Sequence, residues 1–278
     1  MRQPGMMGDR TMTKPAEAAK PIVPAASIVI IRDGKTGLEV FMLERHRGSG
    51  QAFAGAFVFP GGKVDAEDDA AQWDSLAPGT PTAPARPFWI AAVRETFEEA
   101  GLLIARKKGA HGLVGSADAI RLVAAERGQP RAGQSQRFAE TIAREKLELA
   151  TDHMIHFGHW ITPPWPPKRF DTHFFLASAP VEQMDNFDQG ESAESVWIWP
   201  KDALAQADAG KRTLVAVTRC TLELLATWPT VAAATAAARK RKVVTVLPRM
   251  EETPAGKVLR IPVEAGYVRS ELPVAGKG

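Results

Sequence analysis

The chain has 278 residues, 45% hydrophobic and 24% charged, with 35 Lys and Arg against 32 Asp and Glu. These values exclude collagen-like, coiled-coil and wholly disordered chains. A net charge of +3 is too small to imply a nucleic-acid or membrane surface, and the lone Cys220 excludes an intrachain disulfide or a Cys-rich zinc site.

Met1 to Pro24 is rich in Pro, Ala and Lys, lacks the apolar stretch of a secretory signal, and reads as a tail in which Met6, Met7 and Met12 are alternative starts. Residues 26–32 and 38–45 read as strands, rich in Ile, Val and Phe, with Asp33-Gly34 and Gly37 between them. A Gly-rich loop at 48–55 leads to the apolar run 56–59, which Pro60-Gly61-Gly62 stops. Residues 69–87 hold Pro78, Pro81, Pro84 and Pro87 and read as an irregular loop. A helix is expected from Phe88 to Ala100, closed by Gly101 where C-cap glycines occur. Further helical patterns lie at 116–127, 134–149, 200–208, 213–227 and 229–241. Strand-like runs lie at 154–161, 170–177, 194–199, 243–247 and 257–263. No run of 18 apolar residues occurs, so no membrane span is expected. Elements that do not strictly alternate point to an α/β chain with a mixed sheet. The expected organisation is a tail at 1–24, a domain at 25–241 and an extension at 242–278.

The helix from Phe88 carries the chemistry. At about 100° per residue, Glu95, Glu98 and Glu99 share one arc, and Ile90, Val93, Phe97 and Ala100 share the opposite one. The helix therefore packs its apolar back on a core and presents three carboxylates at its front. Like charges at these spacings repel. Clustered oxygen ligands are what a hard divalent cation takes. On spacing alone, a solvated acidic face stays open. The preceding Phe59-Pro60-Gly61-Gly62-Lys63-Val64-Asp65 adds glycines that permit close backbone approach to a ligand.

Together these segments resemble the signature of the Nudix hydrolases: Gly, five residues, Glu, seven residues, then Arg-Glu-aliphatic-x-Glu-Glu-x-Gly-aliphatic. Gly62 matches the first glycine, and Arg94, Glu95, Glu98, Glu99, Gly101 and Leu102 match the second half. Asp68 stands in place of the first Glu, and Thr96 in place of the aliphatic residue. Between Asp68 and Arg94 lie 25 residues, 69 to 93, an insertion of 18 within a box that spans 61–102. A box split in this way is similar to the peroxisomal coenzyme A diphosphatase-like branch and its bacterial relatives. Leu43-Glu44-Arg45 before the box, and Trp160–Pro163 followed by Arg169–Phe175, carry the same likeness.

The resemblance implies an α/β/α sandwich with additional helices and a hydrolase of a nucleoside diphosphate linked to another group. It implies Mg²⁺ or Mn²⁺ held by Glu95, Glu98, Glu99 and the Gly61 carbonyl, with Glu98 also a candidate base. Asp68 and Arg94 are expected to form a structural salt bridge, with Gly62 and Gly101 shaping the box. Coenzyme A or an acyl-CoA is the substrate the branch implies. Hydrolysis of ADP-ribose, NADH or a dinucleoside polyphosphate, or an inactive nucleotide-binding sensor, stays open.

Outside the box, Glu191 and Glu194 are candidate catalytic acids, with a polar hairpin turn as the alternative. Arg45, Arg47, Lys168 and Arg169 are candidate phosphate contacts, Arg45 and Arg169 foremost, on what is otherwise a solvated basic rim. His153, His156 and His159 read as the start of a strand whose i,i+3 pairs point to opposite faces, not as a metal site. Arg239–Lys242 read as a solvated helix C-terminus rather than a nucleic-acid contact, and Cys220 as a buried thiol. The insertion is expected to act as a lid or partner contact. A small nucleotide partner, no membrane, no nucleic acid and a cytoplasmic location complete the expectations; a homodimer stays open. Gly276-Lys277-Gly278 is no peroxisomal address.

Overall fold

The computed structural model describes residues 20–44, 56–126, 129–130, 132–180, 182–183, 195–254 and 256–273. The longest strand, β1 (Ile22–Gly34), turns into β2 (Gly37–Glu44). Then follow β3 (Ala56–Val58), β4 (Gly61–Lys63), the short helix α1 (Trp73–Leu76), α2 (Arg86–Ala100) and β5 (Ala105–Lys107). The middle of the chain holds α3 (Ser116–Glu126), α4 (Gln134–Arg144), β6 (Leu147–Leu149), β7 (Met154–Ile161), β8 (Arg169–Ser178) and β9 (Ser195–Ile198). Last come α5 (Pro200–Asp208), β10 (Thr213–Leu214), α6 (Ala216–Leu225), α7 (Val231–Lys240), β11 (Thr245–Val246), β12 (Arg249–Thr253), β13 (Gly256–Arg260) and β14 (Glu271–Pro273).

The main sheet runs β10-β3-β2-β1-β8-β7-β11, with β4 paired to β1 and β9 to β2. It is mixed, because β1 and β8 run parallel while β1–β2 and β7–β8 are antiparallel. Alternation along β1 fills two cores. Ile28 and Ile30 pack with Trp89, Val93 and Phe97 of α2 and with Phe138 and Ile142 of α4. Val29 and Ile31 pack with Cys220, Leu222 and Leu225 of α6 and with Ala234 and Ala238 of α7. A sheet buried on both faces between helical layers is an α/β/α sandwich.

Three elements differ from the sequence reading. Residues 69–87 are not wholly irregular: α1 places Trp73 fully in the core, against Phe138, with its indole Nε1 donating to the Glu67 carbonyl at 2.9 Å. The helix expected over 134–149 stops at Arg144, because Lys146 turns the backbone to a φ of 55°. Residues 147–149 become β6 and pair with β5. Beyond the last helix, β11 joins the main sheet beside β7, and β12-β13-β14 form a small sheet of their own.

β4 positions the site. One edge of β1 is shared: residues 31–34 pair with β2, while Ala25, Ala26 and Ser27 pair with Lys63, Gly62 and Gly61. Gly61 has a φ of 153°, and a Cβ there would run into the Ala26 carbonyl and the Ser27 backbone. Only glycine allows that approach, which brings β4 under α2.

Candidate active site

Helix α2 is built as its periodicity dictates. Ile90, Val93, Phe97 and Ala100 are buried, and Gly101 takes the left-handed conformation with its N–H donating to the Phe97 carbonyl. Arg94 is buried as well and organises the site. Its Nε and Nη2 donate to the two carboxylate oxygens of the fully buried Asp68, both at 2.9 Å. Nη2 also donates to the Lys63 carbonyl at 2.8 Å, and Nη1 to Glu95 at 2.8 Å and Glu98 at 3.2 Å. A planar guanidinium fits this fork-to-fork geometry, which an ammonium does not. Asp68 reaches Arg94 despite being one methylene shorter than Glu. The chain turns so that its carboxylate also accepts the Asp65 N–H at 2.8 Å.

The three glutamates converge where β4 meets α2. The Gly61 N–H donates to Glu99 Oε2 at 3.0 Å. A Cβ on Gly62 would overlap the Glu95 carboxylate, so this glycine makes room for it. Burial pushes the Glu98 carboxyl up to about 7; Arg94 opposes the rise and the like charge of Glu95 adds to it. Glu95 is raised too, again by burial first. Glu98 Oε1 is buried with no hydrogen-bond partner. A buried acceptor without a donor is costly. Several carboxylate oxygens with one left unsatisfied suit a hard divalent cation, which would restore their charge. The residues present therefore fit the expected ion.

Other expected site residues are placed differently. Arg45, Arg47, Glu191 and Glu194 lie outside the described residues. Arg169 opens β8, with its Nε donating to the Thr162 carbonyl at 3.0 Å. It is not brought against the carboxylates: β8 stands on the far side of β1 from β4. Asp65 was not singled out by the sequence but belongs here, with its carboxylate 3.6 Å from Arg94 Nη2 and accepting from the Ser135 hydroxyl. Its place directly before the turn to Asp68 was the available signal.

The histidines depart from expectation. A β-bulge between His156 and Gly158 shifts the register, so His156 pairs with Phe175 and His159 with His173. Phe175 and His173 are two residues apart on β8, so the two β7 histidines share a face instead of opposing one another. Burial pushes His156 down to about 4 and His173 down to about 3, helped by the neighbouring imidazoles.

The sequence model of the NUDT19 Nudix domain matches residues 79–216, which include α2 but not β4. A Caenorhabditis elegans protein named "Putative nudix hydrolase 7" is 32% identical over 192 residues, 68% of this chain and 56% of that protein. The acyl-coenzyme A diphosphatase NUDT19 of Gallus gallus is 29% identical over 217 residues, 62% of this chain and 56% of its own length. The chain thus spans about half the length of these relatives. A crystal structure of a Nudix hydrolase from Alicyclobacillus acidocaldarius superposes with a TM-score of 0.61 at 26% identity, covering 79% of this chain and 97% of the other.

Proposed function

The chain belongs to the Nudix hydrolase family, and from that premise we propose that it hydrolyses coenzyme A or an acyl-CoA, with Mg²⁺ or Mn²⁺, to 3′,5′-ADP and a 4′-phosphopantetheine product. The observation that carries the reading is the carboxylate face of α2, with Glu95 and Glu98 bound by Arg94, Glu99 bound by the Gly61 N–H, and Gly62 making room for Glu95. The choice of coenzyme A is supported by the likeness to the NUDT19 Nudix domain and to the Gallus gallus diphosphatase.

Glu95 and Glu99 would hold the cation, with Glu98, whose Oε1 is buried without a hydrogen-bond partner, as a third ligand or as the base. When bound, the cation supplies charge neutralisation at the pyrophosphate and a lowered pKa for the attacking water. As the base, Glu98 would orient that water and accept its proton. Arg94 donates to Glu95 and Glu98 and fixes them against one another. Asp68 in turn locks Arg94, so the positioning is set before substrate arrives. Gly61 anchors Glu99 from the opposite wall. The intact carboxylate set speaks against an inactive sensor.

The test is a substrate panel of coenzyme A, acyl-CoA, ADP-ribose, NADH and a dinucleoside polyphosphate with Mn²⁺, the products identified by mass. Release of 3′,5′-ADP from coenzyme A is expected. Turnover confined to another nucleotide keeps the family and overturns the substrate.

A further inference from the structure

Outside the carboxylate site, a row of imidazoles lies where β7 and β8 pair, and its partners fix where each proton sits. Burial lowers His156 to about 4 and His173 to about 3. Near neutral pH each of these rings therefore carries one N–H, and its other nitrogen accepts. His156 Nε2 lies 2.9 Å from His173 Nδ1. The remaining His156 nitrogen, Nδ1, serves the Gly158 backbone bond, which favours the protonated ring and so ends on the carbonyl. His156 Nε2 thus holds a lone pair and accepts from His173 Nδ1–H. The same count leaves a lone pair on His173 Nε2, which has no hydrogen-bond partner among the described residues.

The His173 ring is held in place from both sides. It stacks on His159 with centroids 4.1 Å apart and an interplanar angle of 6°, and Phe88 meets it edge-on at 4.3 Å. His159 is fixed in turn, with Nδ1 2.8 Å from the Thr245 hydroxyl and Nε2 2.5 Å from Asp171 Oδ1. Asp171 keeps its second oxygen as an acceptor, and a carboxylate oxygen of Asp171 lies within 4.8 Å of a ring nitrogen of His173. The Asp171 side chain is 34% exposed, so a ligand can reach the pair. Two acceptors side by side with no donor between them suit a group that donates twice and offers no lone pair of its own, such as an amino group on an aromatic ring.

The pair lies on the same face of the sheet as the glutamates. Gly62, which faces Glu95, pairs with Ala26, and Ala26 pairs with His173, so two strand spacings, roughly 10 Å, separate Gly62 from His173 in that row. Phe88, which touches His173, likewise stands two turns before Glu95 on α2. A nucleoside spans such a distance between its diphosphate and the far edge of its base. We propose that His173 and Asp171 select the base: His173 Nε2 and the second Asp171 oxygen accept the two N–H bonds of an adenine 6-amino group when the diphosphate lies on the α2 carboxylates. This deepens the proposed function and rests on its reading of those carboxylates as the diphosphate site. A 6-oxo base turns a carbonyl lone pair toward both acceptors and is rejected.

The test compares ADP with IDP, which carries a carbonyl in place of that amino group, in calorimetric titrations of the full chain at neutral pH with saturating Mg²⁺. The wild type is expected to bind ADP about tenfold to a hundredfold tighter than IDP. His173→Phe keeps the ring stack but loses the lone pair, and it binds the two alike. His156→Ala frees the His173 proton to move to Nε2, and the preference shrinks. Loss of a merely structural role would weaken both nucleotides equally and leave their ratio unchanged. Circular dichroism confirms that the variants are folded, and Asp171→Asn, which keeps the side chain's shape, also shrinks the preference should His173→Phe fail to fold. Equal affinities in the wild type, no binding of either nucleotide, or a preference intact in His173→Phe or Asp171→Asn overturns the subsite. An ADP preference without coenzyme A turnover overturns the substrate reading alone, and turnover without the preference overturns the subsite alone.

Discussion

Two clusters of opposite chemistry face the same layer of the molecule, separated by β1. On the α2 side, Arg94 binds Glu95 and Glu98 while the Gly61 N–H holds Glu99; on the β7–β8 side, His159 meets Asp171 and stacks on His173, which in turn meets His156. Burial strips charge from both. It raises Glu98 to about 7 and lowers His156 and His173 to about 4 and about 3. The difference is in how each is held. Arg94 and Asp68 clamp the carboxylates through a buried bidentate pair, whereas the imidazoles are held by ring contacts with Phe88 and Phe175 and by hydrogen bonds that include Asp171 and Thr245, with no buried permanent charge among these partners. Polar side chains at one depth thus become a clamped site or a loose one according to whether a permanent charge is buried with them.

The clamp gives the largest expected effect. Arg94→Ala leaves Asp68 buried without its partner, and losses of this kind cost about 3–5 kcal/mol. Urea unfolding should show that loss, and replacing His159 by Ala should cost far less. An equal cost at the two sites would break the comparison.

Next comes activity. Glu98→Gln removes the proposed base and a ligand oxygen, and turnover should fall about a thousandfold, corresponding to roughly 4 kcal/mol of transition-state stabilisation. Gly62→Ala places a methyl group on the Glu95 carboxylate, which can swing aside. Turnover should therefore drop about tenfold to a hundredfold while the unfolding midpoint barely moves.

The two clusters also predict opposite pH dependences of stability in the metal-free chain. The folded-state pKa of Glu98 is raised from 4.5 to about 7. The unfolded chain therefore binds fewer protons in that window, and stability falls as pH rises through it. Glu98→Gln should be about 2–3 kcal/mol more stable than wild type at pH 8 and about equal to it at pH 4, read by thermal melts. His156 and His173 are lowered from 6.5, so they act in the other sense. Their contribution is present above pH 6.5 and is lost as pH falls toward 4. A Glu98→Gln difference that does not change with pH would contradict the opposition.

The smallest effect tests packing alone. Thr96 is fully buried and its hydroxyl has no partner. Thr96→Val should stabilise by about 1 kcal/mol in the same unfolding assay, without changing turnover.

How much was legible follows the same contrast. The α2 face was readable because helical periodicity is local, and three glutamates at i, i+3 and i+4 need no tertiary information to converge. The glycines of β4 pointed to close approach, though their pairing with the lower half of β1 did not follow from sequence. The imidazole cluster was misread because strand alternation gives opposite faces for i,i+3, and one bulged residue, Phe157, reverses that outcome. The helix expected to Leu149 failed for a similar reason: one left-handed residue, Lys146, ended it. Trp73 in the insertion was hidden by the prolines around it, which read as loop, although the ring anchors the segment in the core. Single-residue departures from regular geometry carry no periodic signal and surface only in the folded chain.

The central claim is that the α2 carboxylates are a metal-dependent hydrolytic site. The most direct measurement is turnover of coenzyme A with Mn²⁺ by wild type beside Glu99→Gln, with products identified by mass. The account predicts release of 3′,5′-ADP by the wild type, abolished by chelation and absent in the variant. Equal release by the two proteins, or release that chelation does not affect, would contradict it.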